Sequence, residues 1–139
     1  MSETLTGQLL VSSPMLDDPN FARTVVALLQ HDEDGALGVV LNRPSASPVG
    51  EHLPEWDSAA AEPALVFVGG PVSPEVAIGL ARLESDVSPI PGVSVVDLSD
   101  TPHPSMLVRV FLGYSGWSPG QLEFELGEEA WLLTPATAA

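Results

Sequence analysis

The sequence contains no lysine and no cysteine, and each absence excludes a class of chemistry. A Schiff-base enzyme needs a lysine amine, and a phosphate-binding P-loop needs a lysine after its glycines. Without cysteine there is no disulfide framework, no thiol nucleophile and no cysteine metal site. Enzymes and metal sites that depend on these two side chains are therefore excluded.

Positive charge is scarce as well. The chain has 4 arginines against 19 acidic residues, which gives a net charge of −15. Proteins that bind DNA or RNA draw most of their non-specific affinity from lysine and arginine, which replace counterions at the phosphates. Anionic membrane surfaces repel an acidic chain for the same reason. The composition therefore argues against direct binding to nucleic acid or to membranes.

Long hydrophobic runs are also missing. The longest, Thr24–Leu29 and Ala36–Leu41, fall far short of the ~20 apolar residues that span a bilayer. The first ten residues, MSETLTGQLL, carry an acidic residue and lack the basic start and long apolar centre of a signal peptide. We therefore expect a cytoplasmic protein.

The apolar sequence that is present suffices for one domain. Hydrophobic residues make up 45% of the 139 positions, and we take residues 1–139 as a single domain. The clearest local feature is a β-hairpin, with strands Thr24–Gln30 and Ala36–Leu41 on either side of the turn HDEDG. Asp34 and Gly35 suit the backbone angles that a tight hairpin needs.

Other short apolar runs predict further strands between turns rich in proline and glycine. Residues 45–63 contain prolines and acidic residues and support at most one helical turn near Val49–Leu53, so we interpret them as a surface excursion. Short strands with one or two helices predict an α+β domain with a mainly antiparallel sheet. Pro74–Leu83 fits either a helix that starts at Ser73 and Pro74 or a strand in which apolar residues alternate, and we favour the strand. The remaining predicted strands are Gly7–Ser12, Ala64–Val68, Val93–Leu98, Met106–Leu112 and Ala130–Leu133.

The stretch Val108–Leu126, VRVFLGYSGWSPGQLEFEL, predicts a strand that enters a glycine-rich turn and leaves it as a helix. Ser118 and Gln121 fit a capping box, in which the two side chains satisfy backbone N–H groups at a helix start. Pro119 then occupies the first helical position, where its missing N–H costs nothing. Gly127 is expected to end the helix.

Candidate catalytic and metal-binding residues have weak support. Ser115 lies in GYSGW, which differs from the nucleophile elbow G-x-S-x-G by Trp117 at the fifth position. We interpret Ser115 as a small residue in a crowded turn. His31, His52 and His103 share no metal-ligand spacing, so no metal site is predicted.

Glycines and arginines leave two questions open. Gly69 and Gly70 could let a backbone approach a ligand, although a tight turn is the simpler interpretation. The acidic clusters lack a calcium-loop pattern and indicate a solvated face. In so acidic a chain each arginine is expected first in an ion pair. A pocket that uses Arg23 or Arg43 to bind an anionic ligand is the alternative.

The chain resembles the YqgE/AlgH family of bacterial proteins. The resemblance runs in order through GQLLVSSPMLDDPNFARTVVALLQHDEDGALGVVLNRP, FVGGPVSPE and VRVFLGYSGWSPGQLEFEL, and extends to Trp131. It implies a compact α+β fold with strands curled into a barrel-like sheet. It also implies an unsettled function, because members are commonly labelled transcriptional regulators without a demonstrated activity or catalytic residue. The residues at its polar motif positions, which we take as candidate ligand-binding residues, are Arg23, His31, Asn42, Arg43, Tyr114, Gln121 and Glu125.

The sequence departs from this family in two places. Members usually continue for some tens of residues past the point where this chain stops at Ala139, with a further helical segment that covers part of the sheet. The region before Met106 also looks compressed. The first departure predicts either a naturally short or a truncated chain. An apolar patch left exposed would favour self-association as a homodimer.

Three functional hypotheses follow. The leading one is a non-enzymatic regulatory or interaction protein, a transcriptional regulator that acts through an unknown protein partner, because no catalytic constellation is present. The alternative is an anionic small-molecule binder or an undiscovered enzyme, with a pocket formed by Arg43, His31 and Tyr114. The third is a scaffold role, in which Arg43 and Asn42 lock the hairpin to the glycine turn. No catalytic residue, metal or cofactor is predicted.

Overall fold

A computed structural model describes residues 5–14, 21–82, 93–96, 98–99 and 107–135 of the chain. Nine strands and three short helices lie in these ranges. The strands are β1 (Gln8–Ser12), β2 (Val25–Asp32), β3 (Gly35–Val40), β4 (Pro44–Pro48), β5 (Leu65–Val68), β6 (Val72–Arg82), β7 (Val93–Val96), β8 (Val108–Trp117) and β9 (Trp131–Pro135). The helices are α1 (Val49–His52), a 3₁₀ helix (Pro54–Ala59) and α2 (Gln121–Gly127).

The ten-residue strand β8 connects the two parts of the sheet. Its last residues pair with β3, and its earlier residues pair with β6 and, in parallel, with β5. The main strand order is β4-β5-β8-β3-β2-β1-β9, and β7 pairs with β6 beside it. All strand pairs except β5 with β8 are antiparallel in the described ranges.

These pairings confirm the α+β class and the mainly antiparallel sheet. The barrel-like curling is supported only in part, because β4 and β9 end the strand order and no described strand pairing joins them. The helices number three rather than one or two within the described part of the chain. His103 and the compressed region before Met106 lie outside the described residues.

The predicted β-hairpin is confirmed. Strands β2 and β3 pair antiparallel, and Asp32 lies opposite Gly35 across the two-residue turn. Gly35, the first residue of β3 after this turn, has a positive φ of +131°, whereas Asp34 does not, and a Cβ at Gly35 would collide with the carbonyl of Trp117 on β8. Glycine is therefore required both by the backbone conformation and by the close approach of β8.

The prediction of a surface excursion at residues 45–63 is wrong. The helical turn at Val49–His52 is present, but Trp56 in the 3₁₀ helix is only 1% exposed. Its indole N–H donates to the carbonyl of Leu98 at 2.9 Å. Prolines and acidic residues dominate the sequence of this segment, so the sequence gives no sign of its burial. The burial arises from packing against residues that are distant in sequence. The buried members of this core cluster are Val49, Trp56, Ala59, Val66, Ala81, Val108 and Val110.

The predicted start of α2 is also wrong, by two residues. The helix begins at Gln121, its N-cap is Gly120 with φ 79°, and no side chain caps it. The left-handed Gly120 places Ser118 and Pro119 in a turn before the helix rather than in it. Half of the capping box survives, since the Ser118 backbone N–H donates to Gln121 Oε1 at 2.9 Å. The predicted end at Gly127 is confirmed.

Candidate functional site

A carboxylate bonded to two tryptophans joins α2 to both neighbouring strands. Oε1 of Glu125 accepts the indole N–H of Trp117 on β8 at 3.0 Å and that of Trp131 on β9 at 2.9 Å. Its Oε2 accepts from the side-chain amide of Gln121 at 3.0 Å. The indole rings lie 6.2 Å apart, and Phe21 packs against both. Gln121 and Glu125 are therefore engaged in holding this corner of the fold.

His31 lies near the same corner, on β2, and is buried. Its Nδ1 accepts the backbone N–H of Leu5 at 2.9 Å, and its Nε2 lies 3.4 Å from Oε2 of Glu123 on α2. Because Nδ1 acts as an acceptor, the neutral ring carries its proton on Nε2, which faces the Glu123 carboxylate. The imidazole thus ties the amino-terminal segment and α2 to the sheet.

Asn42 and Arg43 bind the chain segment that precedes β2. The Asn42 amide oxygen accepts the backbone N–H of Val25, and its NH₂ group donates to the carbonyl of Arg23, both at 3.0 Å. Arg43 donates to the carbonyl of Ala22 at 3.2 Å. Arg23 itself has φ 59°. These described side-chain bonds run to residues 22–25, and the predicted scaffold role of locking the hairpin to the glycine turn stays a prediction.

Tyr114 lies elsewhere, on β8 opposite Val72 of β6. It packs, half-buried, against the core cluster formed by Ala27, Val39, Phe67, Leu80 and Phe111. The seven candidate residues thus fall into three places, namely the tryptophan corner with His31 nearby, the contact between the segments before β2 and after β3, and the middle of the sheet.

Of the cavities lined by described residues, two are well formed at the surface, and none of the seven candidates lines either of them. The larger, about 590 Å³, is a groove beside β9, and the smaller, about 210 Å³, lies at the β2–β3 hairpin. The predicted pocket of Arg43, His31 and Tyr114 coincides with neither of them, and its ligand-binding role stays a prediction. The groove is lined by Ser13, Pro14, Leu126, Glu129, Trp131, Leu132 and Leu133.

Ser115 and the paired glycines serve the sheet. The Ser115 side chain is fully buried, and its hydroxyl donates to the carbonyl of Gly69 at 3.1 Å. The strand continues past it to Trp117, so it does not occupy a strand-to-helix elbow. A Cβ at Gly70 would collide with the carbonyl of Tyr114. The glycines therefore allow the chain to approach β8 closely.

Arg109, expected in an ion pair, uses other partners. It donates to the carbonyl of Glu62 at 2.7 Å and lies 4.4 Å above the ring centroid of Phe67. Among the residues that the structure describes, no three His, Asp or Glu side chains are grouped to hold a metal ion. In the same residues no helix is long and apolar enough to cross a membrane.

The groove beside β9 contains residues that sequence reasoning missed. Leu132 and Leu133 are 57% and 41% exposed although they lie in a strand. The run Trp131-Leu132-Leu133 was an available signal, because consecutive apolar residues in a strand are typical of one covered on both faces. What the sequence could not indicate is that β9 lies at the end of the strand order.

The fold is that of a sheet-dominated α+β protein. Polar side chains of its motifs, such as Glu125 and Asn42, form hydrogen bonds to other parts of the same chain. The chain belongs to the AlgH-like family, because the DUF179 family model matches residues 9–139. It is similar to the UPF0301 protein SCO2948 of Streptomyces coelicolor, with 49% identity over 94% of this chain and 75% of that protein. The predicted family membership is confirmed.

Two solved structures have similar folds. Protein DIP2367 from Corynebacterium diphtheriae superposes with a TM-score of 0.87 at 28% identity, over 97% of this chain and 78% of that one. The AlgH protein from Pseudomonas aeruginosa gives a TM-score of 0.70 at 33% identity, over 98% and 82% of the two chains. The names of these relatives state no activity.

Proposed function

We propose that this chain is a non-enzymatic interaction protein, and that any effect it has on transcription passes through a protein partner. The observation that carries the proposal is the use of the polar motif residues. Glu125, His31 and Asn42 each make hydrogen bonds to another part of the chain, so these side chains hold the fold together. A protein whose motif residues maintain its framework is suited to present a surface.

Charge supports a protein partner over DNA. With a net charge of −15 and no lysine, the chain lacks the cations that neutralise phosphates and release counterions. A steered encounter with a basic protein surface is favoured by the same charge. Transcriptional regulation, if it occurs in this family, is therefore assigned to contacts between proteins.

Selection from a random-sequence DNA duplex library tests the claim that the chain does not bind DNA directly. The chain is immobilised and the selection is run at about 150 mM salt, where long-range charge effects are screened over roughly 8 Å. We expect no sequence to be enriched. Enrichment of one motif, bound selectively by the purified chain, would overturn the proposal.

Capture from a bacterial extract tests the second part of the proposal, that the chain binds a protein partner. Captured proteins are purified and titrated back against the chain, since capture alone does not distinguish specific binding from adsorption to an acidic surface. We expect at least one purified protein to bind with a saturable isotherm. If none does, the chain is not an interaction protein of the proposed kind.

A further inference from the structure

We infer that the outer edge of β9 is the docking strand for an extended partner segment that combines apolar with basic residues. The inference rests on the proposed function and locates its binding surface. It is carried by three independent features, which are the unpaired edge, the apolar groove beside it and the charge around it.

Among the residues that the structure describes, the outer edge of β9 has no pairing strand. This strand is the last in the order and pairs along its whole length with β1, from Gln8 opposite Pro135 to Ser12 opposite Trp131. In residues 131–135 no described backbone hydrogen bond leaves the opposite edge. An unpaired row of N–H and C=O groups is a template for another strand, a mode of recognition in which main-chain hydrogen bonds supply affinity.

The other end of the sheet differs in a way that argues for function at β9. Strand β4 begins with Pro44 and ends with Pro48, and proline lacks the N–H that a pairing strand needs. Such prolines protect edges from unwanted association. Strand β9 has proline only at its last position and carries no charge. The edge at β4 is thus blocked, whereas those at β9 and at β7, which among the described strands pairs only with β6, are not, and of these two it is β9 that lines the larger groove.

The two exposed leucines of β9 offer apolar contacts on both faces of an added strand. Trp131 and Leu133 alternate with Leu132, so the exposed leucines lie on opposite faces of β9. Leu126 of α2 lines the groove on one side. A partner strand beside β9 would cover leucines that are now 57% and 41% exposed. Alternate partner side chains would set the specificity.

The charge around the groove selects a basic partner. Among the described residues, no basic side chain lines it. Glu129 lines the groove, and Glu128 beside it is exposed. A second copy of the chain would bring the same carboxylates to the interface, whereas lysine or arginine would pair with them.

The test measures binding of a labelled ten-residue peptide of alternating valine and lysine to the full chain by fluorescence anisotropy. The same peptide with glutamate in place of lysine is the control for charge. We expect saturable binding of the lysine peptide and none of the glutamate peptide. Absence of binding to the lysine peptide would overturn the inference.

Two pairs of variants locate the site. Glu128→Lys with Glu129→Lys removes the acidic rim, and Glu51→Lys with Glu55→Lys makes the same change in net charge at exposed positions on α1 and the 3₁₀ helix. We expect the first double variant to weaken binding about tenfold and the second about twofold or less. Equal losses would mean diffuse attraction to an acidic protein and would contradict a site at β9.

The apolar contribution is tested by Leu132→Ser against Val95→Ser, since these side chains are similarly exposed at 57% and 52%. We expect weaker peptide binding only for Leu132→Ser. Both variants should keep the circular dichroism of the parent, because neither side chain is buried.

Failure of the inference is distinguishable from failure of the proposed function. If a purified natural partner binds equally to the parent chain and to the variants at Leu132, Glu128 and Glu129, the function stands and the surface is elsewhere. If sedimentation shows a dimer that Leu132→Ser dissociates, the occupant of β9 is a second copy, and the basic partner is wrong.

Discussion

At the scale of single residues, the most informative side chain is Glu125. One carboxylate oxygen accepts hydrogen bonds from both Trp117 and Trp131, whose residues are only 6% and 3% exposed. A buried indole N–H group that loses its acceptor has given up its hydrogen bond to water without forming another, and this destabilises the folded state. Glu125, one of the seven candidate ligand-binding residues, therefore connects α2 to β8 and β9.

Replacing Glu125 by alanine should lower the free energy of unfolding by about 2–4 kcal/mol, because two buried donors lose their acceptor. Glu128→Ala, at an exposed position just after the same helix, is the control and should change stability by about 0.5 kcal/mol or less. Urea denaturation monitored by tryptophan fluorescence measures both. Similar losses in the two variants would contradict the bonding role of Glu125.

A second residue-scale prediction concerns glycines on β8. Gly113 has φ 75°, and a Cβ there would lie 2.5 Å from the carbonyl oxygen of Gly70. Gly113→Ala should therefore cost about 2–4 kcal/mol in unfolding free energy. At Gly116, in the same strand, the nearest atom to a Cβ is 3.9 Å away, so alanine should change stability by about 1 kcal/mol or less. Thermal denaturation of the two variants gives the comparison, and equal melting temperatures would contradict it.

At the scale of elements, the sequence predicts pairing between neighbouring apolar runs, whereas the conformation of a single glycine and contacts between distant residues are hidden from it. The β2–β3 hairpin follows from its two apolar runs and its turn, which are neighbours in sequence. The start of α2 depended on Gly120 adopting a left-handed conformation, which a capping-box pattern does not reveal. Burial of Trp56 depends on Leu98, 42 residues away, and no local period encodes that contact.

The candidate site shows the same division. The motif residues, such as Glu125 and Asn42, could be picked from the sequence as polar residues in distinctive segments. Their hydrogen-bond partners could not, because Trp131 reaches Glu125 only through the pairing of β9 with β1. The exposure of Leu132 was equally hidden, since it depends on β9 lying at the end of the strand order.

The second core makes a prediction at the element scale. Trp56→Ala should lower the free energy of unfolding by about 3–5 kcal/mol, because a buried aromatic side chain is removed. Glu55→Ala, the exposed neighbour in the same 3₁₀ helix, should have little effect. Guanidinium denaturation followed by circular dichroism measures the difference. A small loss for Trp56→Ala would mean that residues 45–63 are a surface excursion after all.

At the scale of the whole molecule, charge is the dominant feature. A net charge of −15 on 139 residues makes the compact state repel itself, and added salt screens that repulsion. The melting temperature at pH 7 should therefore rise by about 3 °C or more between low salt and physiological salt. Scanning calorimetry in sodium chloride measures it.

The control for this prediction is the same measurement at a lower pH. Near the isoelectric point of about 4.1 the net charge vanishes, so the same salt increment should leave the melting temperature unchanged. An equal rise at both pH values would show that salt acts through something other than the acidic surface.

The central claim is that the chain presents the β9 edge to a basic, extended partner segment. Amide hydrogen exchange of the full chain, with and without the valine–lysine peptide, tests it most directly because it reports on individual strands. The account predicts slower exchange in β9 on binding and no change in β4, whose edge is blocked by proline. Protection of β4 or of the β2–β3 hairpin instead, with β9 unchanged, would contradict it.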